Sequence, residues 1–553
     1  MRRLYPALVL LLASATLAAC AAGGEGPAAL AAPARPAPPD VPQTRAEESG
    51  YTATTSYDDV VSFLAAAERI GAASGADLHV TTFGSTVEGR ALPLTVWGAP
   101  GADAASILAT GKTRVLVFAN IHAGEVAGKE AALMLVRDLA NGRHAAWADS
   151  LVVLIAPIYN ADGNERVAFG NRPYQLGPVD GMGERTNAQG LDLNRDFMKL
   201  RAPESRALVG LLRDADPHVV VDLHTTNGTF MGYHLTYAPG LSPNTPSAIS
   251  DDLYDRWLPE ISDAIEASDG WATYHYGNVP GAFGEGTAAP RGWYSFSAQP
   301  RFSTNYAGLR NRYAILSEAY SYAPFDERVG VTKRFVEEIL DQAWANAGHV
   351  RRTVAAADAV SLVGETLAVR TAWAPLDTPA RVLLGAVDTV RHPATGAPMY
   401  QRRDVRTPEV MPALVRFEAS ESVVAPQAYL LSTVAPGASE VRDLLLAHGV
   451  RFDTTFVWGV ERDRFVLDSV RVADRPFQNV RQQEPLGVWT RVEPEKGPPP
   501  RLAPSLRVPV DQPLGRVVVA LFEPRSDDGV VAWSLVPLGD VQAGDALPIE
   551  RIP

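Results

Sequence analysis

Four runs of this chain, Arg114-Val-Leu-Val-Phe118, Leu151-Val-Val-Leu-Ile155, Val219-Val-Val221 and Ala314-Ile-Leu316, are apolar at consecutive rather than alternate positions. A strand of that kind has no face to give to water. It must lie in a sheet covered on both sides, and such sheets are largely parallel. The intervening segments supply the cover. Val126–Leu139 carries apolar residues at helical spacing and stops at Asn141-Gly142, and Pro203–Leu212 opens with a proline suited to a first helical turn. Further upstream, Ser56 and Asp59 form a capping pair for a helix whose Val60, Val61, Phe63, Leu64 and Ala67 recur at helical spacing. The predicted fold class is α/β: a mostly parallel or mixed sheet sandwiched by helices. In such sheets ligands gather beyond the carboxyl ends of the strands, which is where chemistry is expected.

Beyond about Arg351 this alternation gives way to short β-type runs punctuated by Pro and Gly, with one helix, Ser439–His448, stopped by Gly449. Arg516-Val-Val-Val-Ala-Leu-Phe522 and Val530-Val-Ala-Trp-Ser534 read as β-type segments, and Gly497-Pro-Pro-Pro500 as a loop. The 553 residues thus divide into an α/β unit at 51–350 and a second, β-rich C-terminal domain at 351–553 in which no chemistry is found. With 46% hydrophobic and 20% charged residues, such a chain can bury a core. Asp+Glu 63 against Lys+Arg 50 leaves a net charge of −13, which repels phosphate backbones, so no nucleic acid partner is expected.

The single cysteine, Cys20, excludes an internal disulfide and any two-cysteine metal or redox site. It closes a segment with a basic start, Met1-Arg-Arg3, a short apolar core, Leu8–Ala13, and Leu17-Ala-Ala-Cys20. The apolar stretch is too short for a membrane span and reads as an export signal. Leu-Ala-Ala-Cys resembles the lipobox of bacterial lipoproteins. That resemblance implies loss of residues 1–19 and lipid on Cys20, anchoring the mature chain to a membrane of the bacterial cell envelope, at the outer membrane on its periplasmic or surface side. Residues 20–50, rich in Ala, Gly and Pro, read as a tether reaching ~30 Å.

Chemistry-bearing residues follow the apolar runs. His122-Ala-Gly-Glu125 lies after the first, Asp222-Leu-His224 after the third and Glu318 after the fourth. Two imidazoles and a carboxylate make the open three-ligand set of a catalytic zinc, with a position left for water. His122 and Glu125, three residues apart, can face one point, and Glu318 is free to act as a base on that water. Asp222 shares a strand face with His224 and is a second candidate ligand in place of Glu125. His218 and His234 belong to no spaced cluster and read as structural or exposed.

Together, Glu88-Gly-Arg90, His122-Ala-Gly-Glu125, Asn160-Ala-Asp-Gly163, Arg185-Thr-Asn-Ala-Gln-Gly-Leu-Asp-Leu-Asn-Arg195, Asp222-Leu-His224 and Ser317-Glu-Ala319 stand in an order that resembles the zinc metallocarboxypeptidases of the carboxypeptidase A type, peptidase family M14. The resemblance covers roughly Tyr51 to Val350. It implies a carboxypeptidase A-like fold, with one zinc ion held by His122, Glu125 and His224. It further implies Glu318 as general base, Asp192 behind His122, Arg185 on the scissile carbonyl, and Asn194 with Arg195 on the substrate's terminal carboxylate. Peptide or protein C-termini would be the substrates. Asn-Ala-Asp-Gly departs from the family's Asn-Pro-Asp-Gly, and the tyrosine that caps substrate is open between Tyr294 and Tyr306. Two other readings stay open: an amidase or deacylase on the same scaffold acting on cell-wall peptides or acyl-amino acids, and a non-catalytic envelope lipoprotein that binds peptides.

Overall fold

Each of the four apolar runs becomes a buried strand of one eight-stranded sheet. The computed structural model describes residues 42–282, 289–494, 503–539 and 541–553; the export signal, Cys20, the tether up to residue 41 and Gly497-Pro-Pro-Pro500 lie outside them. In chain order the strands are β1 (Leu78–Ser85), β2 (Ala91–Trp97), β3 (Thr113–Ala119), β4 (Leu151–Ala156), β5 (Val219–Thr226), β6 (Leu235–Pro239), β7 (Thr273–His275), the two-residue β8 (Trp293–Tyr294) and β9 (Tyr313–Tyr320). All but β8 join the sheet, in the order β1-β2-β4-β3-β5-β9-β6-β7. The central β4-β3-β5-β9 set is parallel, while β2 against β4 and β6 against β9 are antiparallel, so the sheet is mixed.

Successive residues of the central strands feed two cores, as the uninterrupted apolar pattern requires. Val115, Val117, Val219, Val221 and Ile315 face one way, into helices Tyr57–Ser74, Ala127–Ala140, Leu258–Asp269 and Phe325–Ala345. Leu116, Phe118, Leu154 and Val220 face the other way. There they meet helix Pro203–Asp214 together with Ala438–His448 and Gly515–Phe522 of the later segment. That segment also holds a six-stranded antiparallel sheet formed by Asp453–Thr455, Ser505–Pro509, Ala428–Ser432, Ala546–Ile552, Arg462–Val472 and Gln483–Val492 in spatial order.

Several expectations need correction. Arg516–Phe522 is helical, not extended: all but one of its residues are buried, and a helix apolar all round is stable when surrounded by protein. Val530–Ser534 forms turns. Order begins before Tyr51, because Thr44 caps a short helix, Arg45–Glu48, and both oxygens of Glu47 bind Arg137 at 2.7 and 2.8 Å. Among the described residues no helix is long and apolar enough to cross a membrane.

Candidate metal centre and substrate cleft

β3, β5 and β9 lie side by side and parallel, so their carboxyl ends share one rim of the sheet. The chain leaves β3 at Ala119 and turns through His122 and Glu125 before helix Ala127–Ala140, with Glu125 N–H donating to the His122 carbonyl. His224 and Glu318 are direct neighbours across β5 and β9, which run two residues past them because Thr225 and Thr226 still pair with Ala319 and Tyr320. One cleft of about 220 Å³ is lined by His122, Glu125, His224, Glu318, Arg185, Asn194 and Arg195. The three expected ligands, Glu318, Arg185, Asn194 and Arg195 are thus brought together, and Asp192 lies immediately behind.

The ligating atoms converge. Nδ1 of His122 is 3.1 Å from Oε1 of Glu125, and Nδ1 of His224 is 2.9 Å from its Oε2. The three donor groups lie within 4.8 Å of one another and are all buried. Ligands ~2.0–2.1 Å from a tetrahedral zinc stand ~3.3 Å apart, so the spacing suits that ion. The far ring nitrogens complete the case. Nε2 of His122 is 3.1 Å from Asp192 Oδ1, and Nε2 of His224 is 2.8 Å from Asp222 Oδ2. A carboxylate at Nε2 holds the proton there and leaves the Nδ1 lone pair for a metal. Asp222 therefore supports His224 from behind and is not itself one of the converging ligands.

Electrostatics point the same way. Burial alone would raise Glu125 and Asp192, but His122 with Arg172 and His122 with Arg185, respectively, hold the two carboxyls well below the ordinary range. Glu318 is different: burial pushes it up to about 8, and the neighbouring Glu125 adds to the rise against the pull of His224. Its Oε2 is buried and makes no hydrogen bond. An unpartnered carboxylate oxygen in a nest of acidic groups is costly without a cation or water nearby, so these residues fit a divalent ion.

Arg185 donates through Nε and Nη2 to Asp192 Oδ2 at 3.0 and 2.9 Å, leaving Nη1 3.7 Å from Glu125 Oε1. Arg195 lies over the Phe302 ring at 4.1 Å and donates to the Asn194 carbonyl. Asn194 is fixed by Asp192, which accepts from its N–H, and by Ser303 N–H, which donates to its Oδ1 at 2.9 Å.

Sequence reasoning missed other residues at this site. Arg172 donates to Glu125 Oε1 at 2.8 Å and to the Thr225 carbonyl at 2.7 Å. It comes from an irregular loop without periodicity, so nothing in its spacing singled it out. Tyr276 lines the cleft, its hydroxyl pushed up to about 12 by burial and the Glu318 charge. Neither tyrosine left open above does so: Tyr306 is fully buried with its hydroxyl 2.7 Å from His448 Nδ1, and Tyr294 donates to the Pro290 carbonyl. Gln478, nearly three hundred residues downstream, accepts from the Asp192 N–H at 2.9 Å. His218 and His234 are both buried and outside the cleft.

Residues 66–299 match the sequence model of the Peptidase M14 family, described as zinc carboxypeptidase. The chain is 30% identical over 190 residues to carboxypeptidase D of Mus musculus and 31% identical over 117 residues to carboxypeptidase 2 of Trichophyton rubrum. These stretches cover 29% and 20% of this chain and 14% and 18% of those relatives, so the chain spans a small part of their length. Among solved structures, it is similar to a metallo-carboxypeptidase from Burkholderia cenocepacia (19% identity, TM-score 0.37, 52% of this chain and 68% of that one). It is also similar to the carboxypeptidase A of Helicoverpa armigera (18% identity, TM-score 0.37, 54% and 73%). The family match spans β3 and β5, at whose ends His122, Glu125 and His224 converge.

Proposed function

We propose that this protein is a zinc-dependent exopeptidase that removes the last residue of peptides or proteins with a free C-terminus. One observation carries the reading: the three converging ligands and the Asn194–Arg195 pair line the same cleft. His122, Glu125 and His224 would hold the ion. Zinc, when bound there, polarises the scissile carbonyl and makes a water molecule acidic enough to lose a proton near neutral pH. Glu318 takes that proton and passes it to the leaving amine nitrogen. Arg185 places a fixed positive charge where negative charge grows on the carbonyl oxygen, an effect that is stronger in the transition state than in the ground state. Asp192 and Asp222 keep both imidazoles in the tautomer that offers Nδ1. Arg195, flattened on Phe302, presents its planar guanidinium to the terminal carboxylate, and the Asn194 side chain stands beside it.

The remainder of the cleft is lined by Phe296, Phe302, Thr304, Leu316 and Tyr276, and its acidic lining residues are Glu125 and Glu318, already used. This composition supports an apolar terminal residue over a basic one. Clamping of a terminal carboxylate also favours the exopeptidase over an amidase or deacylase, and a buried base with an intact ligand set argues against a non-catalytic binder. The test compares a blocked dipeptide ending in Phe, its twin ending in Arg, and the amidated Phe form. Cleavage of the Phe acid well above the other two is expected. Equal rates on acid and amide would remove the carboxylate clamp.

Export and lipid attachment at Cys20 belong to the same proposal, supported by the Leu17-Ala-Ala-Cys20 motif. Metabolic labelling with a fatty acid, lost in C20S, tests it.

A further inference from the structure

We propose that the catalytic cleft continues into an aromatic groove, built jointly with the segment after residue 350, that binds an apolar or aromatic side chain of the peptide upstream of the scissile bond. The inference rests on the carboxypeptidase reading. Beyond the cleft, a cavity of about 660 Å³ shares Asn227 with it and none of the residues assigned to the terminal carboxylate. That size lies within the ~300–1,000 Å³ range of sites that bury small ligands. Two chain segments lead straight from the metal centre into this groove. Arg172, bonded to Glu125, continues as Pro173 and Tyr174. The strand carrying His224 continues through Asn227 to Phe230. Since Asn194 and Arg195 take the terminal end, a groove that starts at Asn227 faces the part of the substrate that precedes the bond.

The walls are aromatic and rigidly placed. Tyr174 stacks on Tyr400 at 4.7 Å, and Phe230 meets Tyr400 and Tyr322 edge-on at 5.5 and 5.9 Å. Tyr174 is 43% and Phe230 39% exposed, although both are large apolar side chains with partners close by. Tyr174 holds a φ of 66°, a conformation costly for a bulky residue. It is kept there by Tyr400 N–H, which donates to its carbonyl at 2.9 Å. Gly385 donates to the Phe230 carbonyl at 2.8 Å, and a Cβ on it would come within 2.3 Å of the Met231 carbonyl oxygen, so only glycine permits this approach. Strained, exposed aromatics fixed from two distant parts of the chain are a feature of binding surfaces. The charged residue in the lining, Arg291, is paired with Glu409 through Nε and Nη2 at 2.6 and 2.7 Å. Among the described residues the groove therefore offers ring surface without a free charge, which selects an apolar ligand.

The test uses the zinc-loaded enzyme and blocked peptides with identical last two residues, carrying Phe or Gly at the preceding two positions in turn. Wild type is expected to show kcat/KM about 10-fold higher for one Phe peptide than for its Gly twin, a typical gain from filling an apolar pocket. The difference should lie in KM. In Y400A and F230A that ratio should fall to near one, while Y400F, which keeps the ring, retains it. No Phe preference in wild type, or a ratio unchanged in Y400A and F230A, overturns the groove. Fluorescence anisotropy with labelled forms of the same peptides separates the two readings. Binding of the Phe peptide that depends on Tyr400, without any hydrolysis, keeps the groove and removes the carboxypeptidase. No binding of the labelled Phe peptide overturns the groove as a peptide site.

Discussion

Glu318 occupies a position that disfavours a charged carboxylate: it is buried, close to Glu125, and its Oε2 finds no hydrogen-bond donor. A carboxyl pushed up to about 8 is largely protonated at neutral pH and cannot accept a proton from water. A divalent charge at the neighbouring three-ligand site favours the ionised form, so metal loading and base competence are linked at this residue. The variant E318Q keeps the side-chain volume and removes the proton acceptor. Because Glu318 is not one of the three converging ligands, the zinc content of E318Q should equal that of wild type. Its kcat should fall ~10²–10⁴-fold, the usual contribution of a positioned general base. Zinc by elemental analysis and steady-state rates check this. A kcat within a few-fold of wild type would remove Glu318 from the chemistry.

At the scale of the element, the loop that carries Arg172 closes over the turn between His122 and Glu125, and Gly124 is what lets it do so. A Cβ at position 124 would stand 2.7 Å from Arg172 Cγ and 2.8 Å from the Gly183 carbonyl oxygen. Arg172 could shift its flexible chain, but the backbone oxygen can move only with its whole loop. G124A is expected to destabilise the protein by ~1–3 kcal/mol through overpacking and to weaken zinc binding, since a displaced Arg172 no longer holds Glu125. Thermal unfolding and competition for zinc with a chelator measure the two effects, and wild-type values in both would show that the loop is not tightly seated. This dependence also explains what sequence could and could not reveal. His122, Glu125, His224 and Glu318 were legible because each follows an apolar run whose pattern is unambiguous. Arg172 and Tyr276 were not, because side chains from irregular loops reach the site through tertiary folding and carry no period. Helix Gly515–Phe522 was misread because its run of valines has strand propensity, which burial on every side overrides. β1 and β2, at the antiparallel margin of the sheet, went unpredicted; β1 carries threonines and a glycine in place of a continuous apolar run.

Across the whole molecule, the later segment packs onto one face of the catalytic sheet, with Val517, Val519 and Leu445 in the same core as Leu116, Phe118 and Val220. His448 lies at that junction, fully buried, its Nδ1 accepting from the Tyr306 hydroxyl at 2.7 Å and its Nε2 donating to the Met198 carbonyl at 3.1 Å. The first bond requires the neutral ring, and burial pushes its pKa down to about 3. Burial lowers His218 and His234 to about 3 and His275 to about 4 as well. An unfolded histidine titrates near 6.5. Between 6.5 and the folded values the unfolded chain therefore binds protons that the folded chain refuses, and stability must fall as the pH is lowered through that window. Above 6.5 both states are neutral at these positions and the contribution no longer changes. The unfolding midpoint in denaturant should accordingly decline from pH 7 to pH 4. H448Q isolates one contribution, because the glutamine amide can accept from Tyr306 and donate to Met198 without titrating. In the steep part of the window its stability should fall about 1.4 kcal/mol per pH unit less than that of wild type, the linkage of one proton. Parallel slopes for the two proteins would mean that His448 takes up its proton without unfolding the junction, and that the later segment is held to the sheet by contacts indifferent to this ring.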